Sequence, residues 1–287
     1  MVFGSMPNDG GNLIIEENEY AAFLQQEPEA EQYIRPFLGA EEFINNKKRY
    51  CLWLLNAEPQ HLKKCPLTIA RIQKVREHRE GSSREATRRL AQTPSLFGEI
   101  RQPESGHYLL VPSTSSERRK YIPIGFMNSS DISSNANLLV PNATPYEFGV
   151  LTSQMHMAWM RTICGRLKSD YRYSAQIVYN NFPWPDISEA QKAAIIQKAQ
   201  AVLDARAQFP DSSLADLYDP NTMPPVLTKA HAALDSAVDK LYRKTAFPDD
   251  AARVALLFEL YGKKTEKLLT GKRKRGRGYK EFRLYCV

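Results

Sequence analysis

The sequence predicts an α+β protein, a mixed α/β domain followed by a small all-α domain. Three observations predict it. Short strand-like segments crowd the strand-rich interval, about 95–142, an apolar helix fills 145–167, and beyond the Pro-rich segment ending at Pro185 the chain turns helical and alanine-rich. Hydrophobic residues make up 43% and charged residues 25% of the 287, an ordinary globular balance. The expected boundaries are 1–185 for the mixed domain, 186–270 for the helical domain and 271–287 for a basic tail.

Met1 to Asn12 is small and polar, without the basic start and apolar core of a signal peptide. Leu38 to Leu55 carries Phe43, Ile44, Tyr50 and Leu54 at helical spacing with Lys47, Lys48 and Arg49 outward, and is read as a helix. Leu62 to Leu90 is helical in composition, divided by Pro66 and by Gly81-Ser82-Ser83. Its second half sets Arg84, Arg88 and Arg89 along one face, so the stretch from about 38 to 92 reads as basic and helical. After Pro94, Glu99 to Val111 alternates around Glu104-Ser105-Gly106 and suggests a hairpin; Tyr121 to Phe126 and Ile132 to Val140 are further strand candidates. Pro145 to Leu167 reads as one buried helix, with Phe148, Leu151, Met155, Trp159 and Ile163 supplying core. Ser188 begins a helix with Glu189 in its first turn. A Pro/Asp loop over Asp211 to Pro225 then precedes helices near 226–243 and 249–269.

Composition excludes several functions. No apolar run approaches the roughly 18–20 residues that cross a bilayer, so no membrane partner is expected. Cys51, Cys65, Cys164 and Cys286 lie far apart, which points to reduced structural thiols in a cytoplasmic protein rather than a metal knuckle. His61, His78, His107, His156 and His231 show no metal-ligand spacing, so no metal site is expected. Gly10-Gly11 follows no strand and reads as a turn, leaving no Gly-rich loop for a nucleotide cofactor. An amine-methylating loop needs a polar residue, two prolines and an aromatic; Met223-Pro224-Pro225-Val226 lacks both ends. No catalytic residue is expected in this chain.

The net charge of +7 is unevenly placed. Lys63 to Arg89 holds nine Lys/Arg against three Glu, and Lys263 to Arg283 holds ten against two, so the remainder is acidic. Such segregation fits a phosphate footprint; taken alone each run equally fits a solvated helix face or a basic tail. Three clusters stand out. Ser115-Ser116-Glu117-Arg118-Arg119-Lys120-Tyr121 joins hydroxyls to guanidinium groups that suit phosphate oxygens, or forms an exposed basic turn. Arg166, Lys168, Asp170 and Arg172 leave the end of the buried helix. In an extended segment Lys168 and Asp170 share a side; Lys donates to guanine O6/N7 and Asp accepts from cytosine N4, or the two form a surface ion pair. Tyr179-Asn180-Asn181-Phe182-Pro183-Trp184-Pro185 either anchors a domain junction or stacks on bases.

These clusters, with Phe3-Gly4-Ser5-Met6-Pro7-Asn8-Asp9-Gly10-Gly11, Ile122-Pro123-Ile124-Gly125 and Leu217-Tyr218-Asp219-Pro220, stand in an order that resembles the C-terminal part of the MmeI-like (type IIL) restriction–modification and adenine-type DNA methyltransferase family. The resemblance runs nearly end to end. It implies a DNA target-recognition domain and a helical C-terminal domain, with double-stranded DNA as partner. It also implies a methyltransferase domain or chain as partner, carrying the S-adenosylmethionine site absent from these residues. It assigns base choice to Lys168 and Asp170, and a backbone role to Arg118, Arg119 and Lys120; Arg166 and Arg172 join them on charge. Two other readings stay open: a subunit completing a methyltransferase with a partner chain, and a non-specific RNA- or single-strand-binding protein driven by the basic tail and tyrosines.

Overall fold

The computed structural model describes residues 1–270, with side chains to Glu266; the basic tail, 271–287, lies outside the described residues. Asn8 to Leu13 sets the entry. Gly10 and Gly11 take positive φ (64° and 83°), and the Asp9 carboxylate accepts from the backbone N–H of Gly11 and Leu13 at 3.0 and 2.5 Å. The expected turn is there.

The chain runs through β1 (Val2–Phe3), β2 (Ile14–Glu16), α1 (Glu17–Gln26), β3 (Ile34–Leu38), α2 (Ala40–Asn45) and β4 (Arg49–Leu52). Next come α3 (Pro59–Leu62), α4 (Pro66–Glu80) and α5 (Glu85–Arg89). Then follow β5 (His107–Pro112), β6 (Thr114–Ser115), β7 (Gly125–Asn128), β8 (Ile132–Ser133) and β9 (Asn137–Pro141). Two helices, α6 (Pro145–Leu151) and α7 (Gln154–Ile163), lead to β10 (Gly165–Leu167) and β11 (Asp170–Arg172). The helical end is α8 (Glu189–Ala207), α9 (Leu214–Leu217), α10 (Pro225–Tyr242) and α11 (Asp250–Thr270). Strands assemble as three small sheets ordered β1-β9-β5-β7, β2-β4-β3-β8 and β10-β11-β6.

Several expectations need correction. The helix expected over 38–55 is only α2; Asn46 turns left-handed (φ 54°) and ends it, and Arg49 to Leu52 pairs antiparallel with both β2 and β3. The hairpin over 99–111 does not form. Glu99 bridges Met6 instead, and β5 takes β7 and β9 as neighbours. Being central, β5 is buried on both faces: Leu109 and Val111 join the largest core, while Tyr108 and Leu110 pack with Leu139 on the other side. Strand structure starts only at Gly125, so Tyr121 to Ile124 is irregular, and Ile132 to Val140 splits into β8 and β9. The single helix expected over 145–167 is α6, α7 and β10. Thr144 and Glu147 form a capping box on α6, and Ser153 starts afresh by accepting from His156 N–H at 3.4 Å. Within the Pro/Asp loop, Ser213 and Asp216 cap the short α9.

The helical end is as expected: Ser188 forms a capping box with Gln191 on α8, and Pro225 is the first residue of α10. Its packing is shared with the mixed domain. One apolar core runs from Leu109 through Trp159 to Leu257, and a Cβ placed on Gly149 of α6 would lie 3.0 Å from Ile195 Cγ2 and 3.1 Å from Ala199 Cβ of α8. A second core, under β2–β4, gathers Leu13, Phe37, Cys51, Leu52, Val75 and Phe97.

Arg79 is one of the nine cations of the Lys63 to Arg89 run, and it is wholly buried. Its five N–H donors all meet backbone carbonyls: Nε to Asn8 (2.9 Å), Nη1 to Leu90 and Thr93 (2.9 Å each), and Nη2 to Pro7 (3.0 Å) and Leu96 (2.7 Å). Arg71 is also committed, donating to the carbonyls of Asn12 and Ile14 at 3.2 and 2.9 Å. Part of the basic run is therefore a strut rather than a surface.

Candidate nucleic-acid interface

The first two sequence clusters meet in the smallest sheet. β10 and β11 form an antiparallel hairpin in which Leu167 pairs with Asp170, leaving a two-residue tip, Lys168-Ser169. Lys168 sits at φ 55°, in the left-handed region. The expectation that Lys168 and Asp170 lie on one side of an extended segment is thus corrected: the lysine is at the turn and the aspartate on the strand beneath it. Both remain at the same end of the hairpin, exposed and half-buried respectively.

Alternation along β11 turns Tyr171 and Tyr173 inward and leaves Asp170 and Arg172 outward. Tyr171 pairs with Arg166, whose guanidinium lies 4.1 Å from the tyrosine ring centroid. Arg166 also donates to the carbonyl of Ser169 at 2.7 Å and to Glu117 at 3.2 Å. It braces the hairpin from behind, whereas Arg172 is exposed on the face of Asp170.

β6 pairs with β11 through Ser115 opposite Tyr171 and Thr114 opposite Arg172. That register delivers the loop Ser116 to Lys120 to the side of the hairpin. Arg118 and Lys120 are exposed and Arg119 is half-buried. Burial pulls the Arg119 guanidinium below its ordinary pKa, and Asp170 and Asp219 oppose that pull. All seven sequence-predicted residues therefore fall in one neighbourhood, with Arg166 turned to structural work.

Polar contacts hold this neighbourhood on the helices. The Lys120 carbonyl accepts from Arg161, itself paired to Asp250 at 3.4 Å. Tyr121 stacks on His231 of α10 at 4.0 Å and donates to Asp235 at 2.6 Å. Asp235 also accepts from the backbone N–H of Gln154, and burial raises its carboxyl above the usual range. Tyr218 bonds His231 Nε2 at 2.8 Å and accepts from Arg206 Nε at 2.7 Å. Sequence reading names Tyr121 and Tyr218 within motifs and His231 without a role, but nothing local reveals that the three come together. The third cluster is an anchor. Phe182 is buried against His156, the carbonyl of Pro183 accepts from Tyr242 at 3.0 Å, and the carbonyl of Trp184 accepts from Lys264 at 3.0 Å.

Behind the hairpin, His156 of α7 is buried and bonds Tyr173 through Nε2 at 2.8 Å. Burial pushes its pKa down to about 3. The unfolded chain binds a proton below about pH 6.5 that the folded site refuses, so stability is full above that pH and falls below it. The loss from this one group at pH 5 is expected to be about 2 kcal/mol. His231, held low by burial and by Arg206 and Lys120, acts in the same direction, and Asp235 opposes it nearer the carboxylate range. Urea unfolding at pH 7 and pH 5 checks this; in His156→Phe the difference should shrink by the His156 share.

Among the described residues no group of three or more His, Cys, Asp or Glu could hold a metal ion, and no helix is long and apolar enough to cross a membrane. The family model "MmeI, target recognition domain" matches residues 1–186, and "MmeI, C-terminal domain" matches residues 187–269. Over 265 residues the chain is 42% identical to DNA methyltransferase A of Bacillus subtilis (strain 168), covering 92% of this chain and 30% of that protein. The solved structure of the type IIL restriction–modification enzyme MmeI in complex with DNA matches with 49% identity and a TM-score of 0.90, covering 92% of this chain and 35% of that one. The chain thus spans about a third of the length of the relatives it matches.

Proposed function

We propose, for a chain that belongs to the MmeI family through its target recognition and C-terminal domains, that it reads double-stranded DNA as the specificity part of an adenine-type methyltransferase or restriction–modification enzyme. The observation that carries this is the hairpin tip: Lys168 and Asp170 lie at the same end of the hairpin beside the Arg118 to Lys120 loop, on a base fixed to the helices. Lys168 would donate to guanine O6/N7 and Asp170 accept from cytosine N4, reading a G·C pair from both edges in the major groove. Arg118, Arg119, Lys120 and Arg172 would meet phosphates, with Arg166 holding the hairpin and adding charge.

The solved relative is a DNA complex, which supports DNA as the partner. A relative named as a DNA methyltransferase supports a methyltransferase domain or chain as the second partner. S-adenosylmethionine is assigned to that partner, because this sequence holds neither a nucleotide-cradling Gly-rich loop nor an amine-methylating tetrapeptide.

Selection from a randomised duplex library at two salt concentrations tests the reading. An enriched motif containing a defined G·C pair is expected. With about four phosphates met, raising salt from about 50 to 200 mM should weaken binding roughly a hundredfold. Retention of DNA without any motif, or a preference for single strands, would overturn the reading.

A further inference from the structure

The hairpin carries one side chain that the charge-based reading leaves without work. Leu167 is 51% exposed, the most exposed of the large hydrophobic residues described. A lone exposed leucine is ordinary on a protein surface; its position here is not. It lies between Arg166 and Lys168 in sequence and pairs across the hairpin with Asp170. Cross-strand partners project to the same face, so Leu167 and Asp170 point the same way, together with Arg172. Arg166 is turned to Tyr171 on the other face, so Leu167 stands with Asp170 and Arg172 beside Lys168 at the tip, and a side chain set among groups assigned to DNA faces the same partner.

We propose that Leu167 reads a thymine in the base pair next to the one met by Asp170, by packing on its 5-methyl group. The inference rests on the assignment of Asp170 to cytosine N4. That amine lies on the major-groove edge, where the apolar group on offer is the thymine methyl. Cross-strand partners stand about 5.5 Å apart and stacked base pairs about 3.4 Å apart, so a side chain beside Asp170 reaches a neighbouring pair rather than the same one. Leucine has no donor or acceptor to spend on a base edge, and burying a methyl is the discrimination it can make.

The test uses the full chain and the duplex motif selected by it. Each thymine adjacent to the Asp170-dependent G·C pair is exchanged for uracil, which removes only the methyl, and dissociation constants are measured for the unaltered protein and Leu167→Ala. The unaltered protein should lose about fourfold at one position, the value of one buried methyl. Leu167→Ala should bind the thymine duplex more weakly and be indifferent to the exchange. A motif without thymine beside that pair, an unaltered protein indifferent to uracil, or a Leu167→Ala variant as sensitive as its parent overturns the inference alone, provided the motif still shifts in Lys168 and Asp170 variants. A motif indifferent to Lys168 and Asp170 overturns the recognition reading and this inference with it.

Discussion

Arg79→Met should destabilise the protein by about 3–5 kcal/mol, the range for removing one member of a buried ionic or hydrogen-bonded group and stranding the other. The reason is the count of partners. Five carbonyls, from Pro7, Asn8, Leu90, Thr93 and Leu96, lose a charged donor together. Methionine matches the length of the stem and offers no hydrogen. Arg79→Lys should be nearly as harmful, because an ammonium has three donors and lacks the planar fork. Chemical denaturation gives the number, and a loss under about 1 kcal/mol for the methionine variant would show that water replaces the guanidinium. The exposed neighbour Arg76→Met, changed in the same way, should stay within about 0.5 kcal/mol.

Asp170→Ala should change which sequence is bound, not merely how tightly. The expected cost is about 1–3 kcal/mol at one base pair, with the rest of the selected motif intact. Lys168→Ala should do the same at that pair. Because Lys168 sits at φ 55°, Lys168→Gly is the cleaner variant, removing the amine without left-handed strain. Arg172→Ala and Lys120→Ala should instead weaken every sequence evenly and reduce the salt slope by about one each. Selection of the five variants against one library separates the two patterns. Even loss in the Asp170 variant would remove its base-reading role.

Local chemistry made much of this legible. Ser188, with Glu189 in the first turn, announces α8 because a helix start is set by residues within one turn of each other. For the Lys168–Asp170 stretch, donor and acceptor types are enough to propose a base pair, which the variants above test. Illegible features were those decided by partners far along the chain. Arg49 to Leu52 is a strand because Ile14 to Glu16 and Ile34 to Pro36 flank it. His107 to Pro112 is a central strand because later residues arrive on both sides, so its apolar run mimics alternation without a solvent face. Arg76 and Arg79 are the same residue type three positions apart on one helix, exposed and buried. No composition distinguishes them; the carbonyls waiting at Pro7 and Leu96 do.

The shared core at Gly149 bears on how such a protein can be re-engineered or shuffled. With no Cβ on α6 at that point, Ile195 and Ala199 of α8 press against it, and Leu234 of α10 closes the same spot. Tyr121 adds a second tie, from the basic loop straight into α10. A graft cut at the Pro-rich segment would divide both, trading a matched surface for a foreign one at the place where the hairpin's aim is set. The transferable cassette therefore includes the helices, and under the proposed reading new sequence preferences are sought by replacing the few side chains at the tip while the whole block beneath is inherited unchanged.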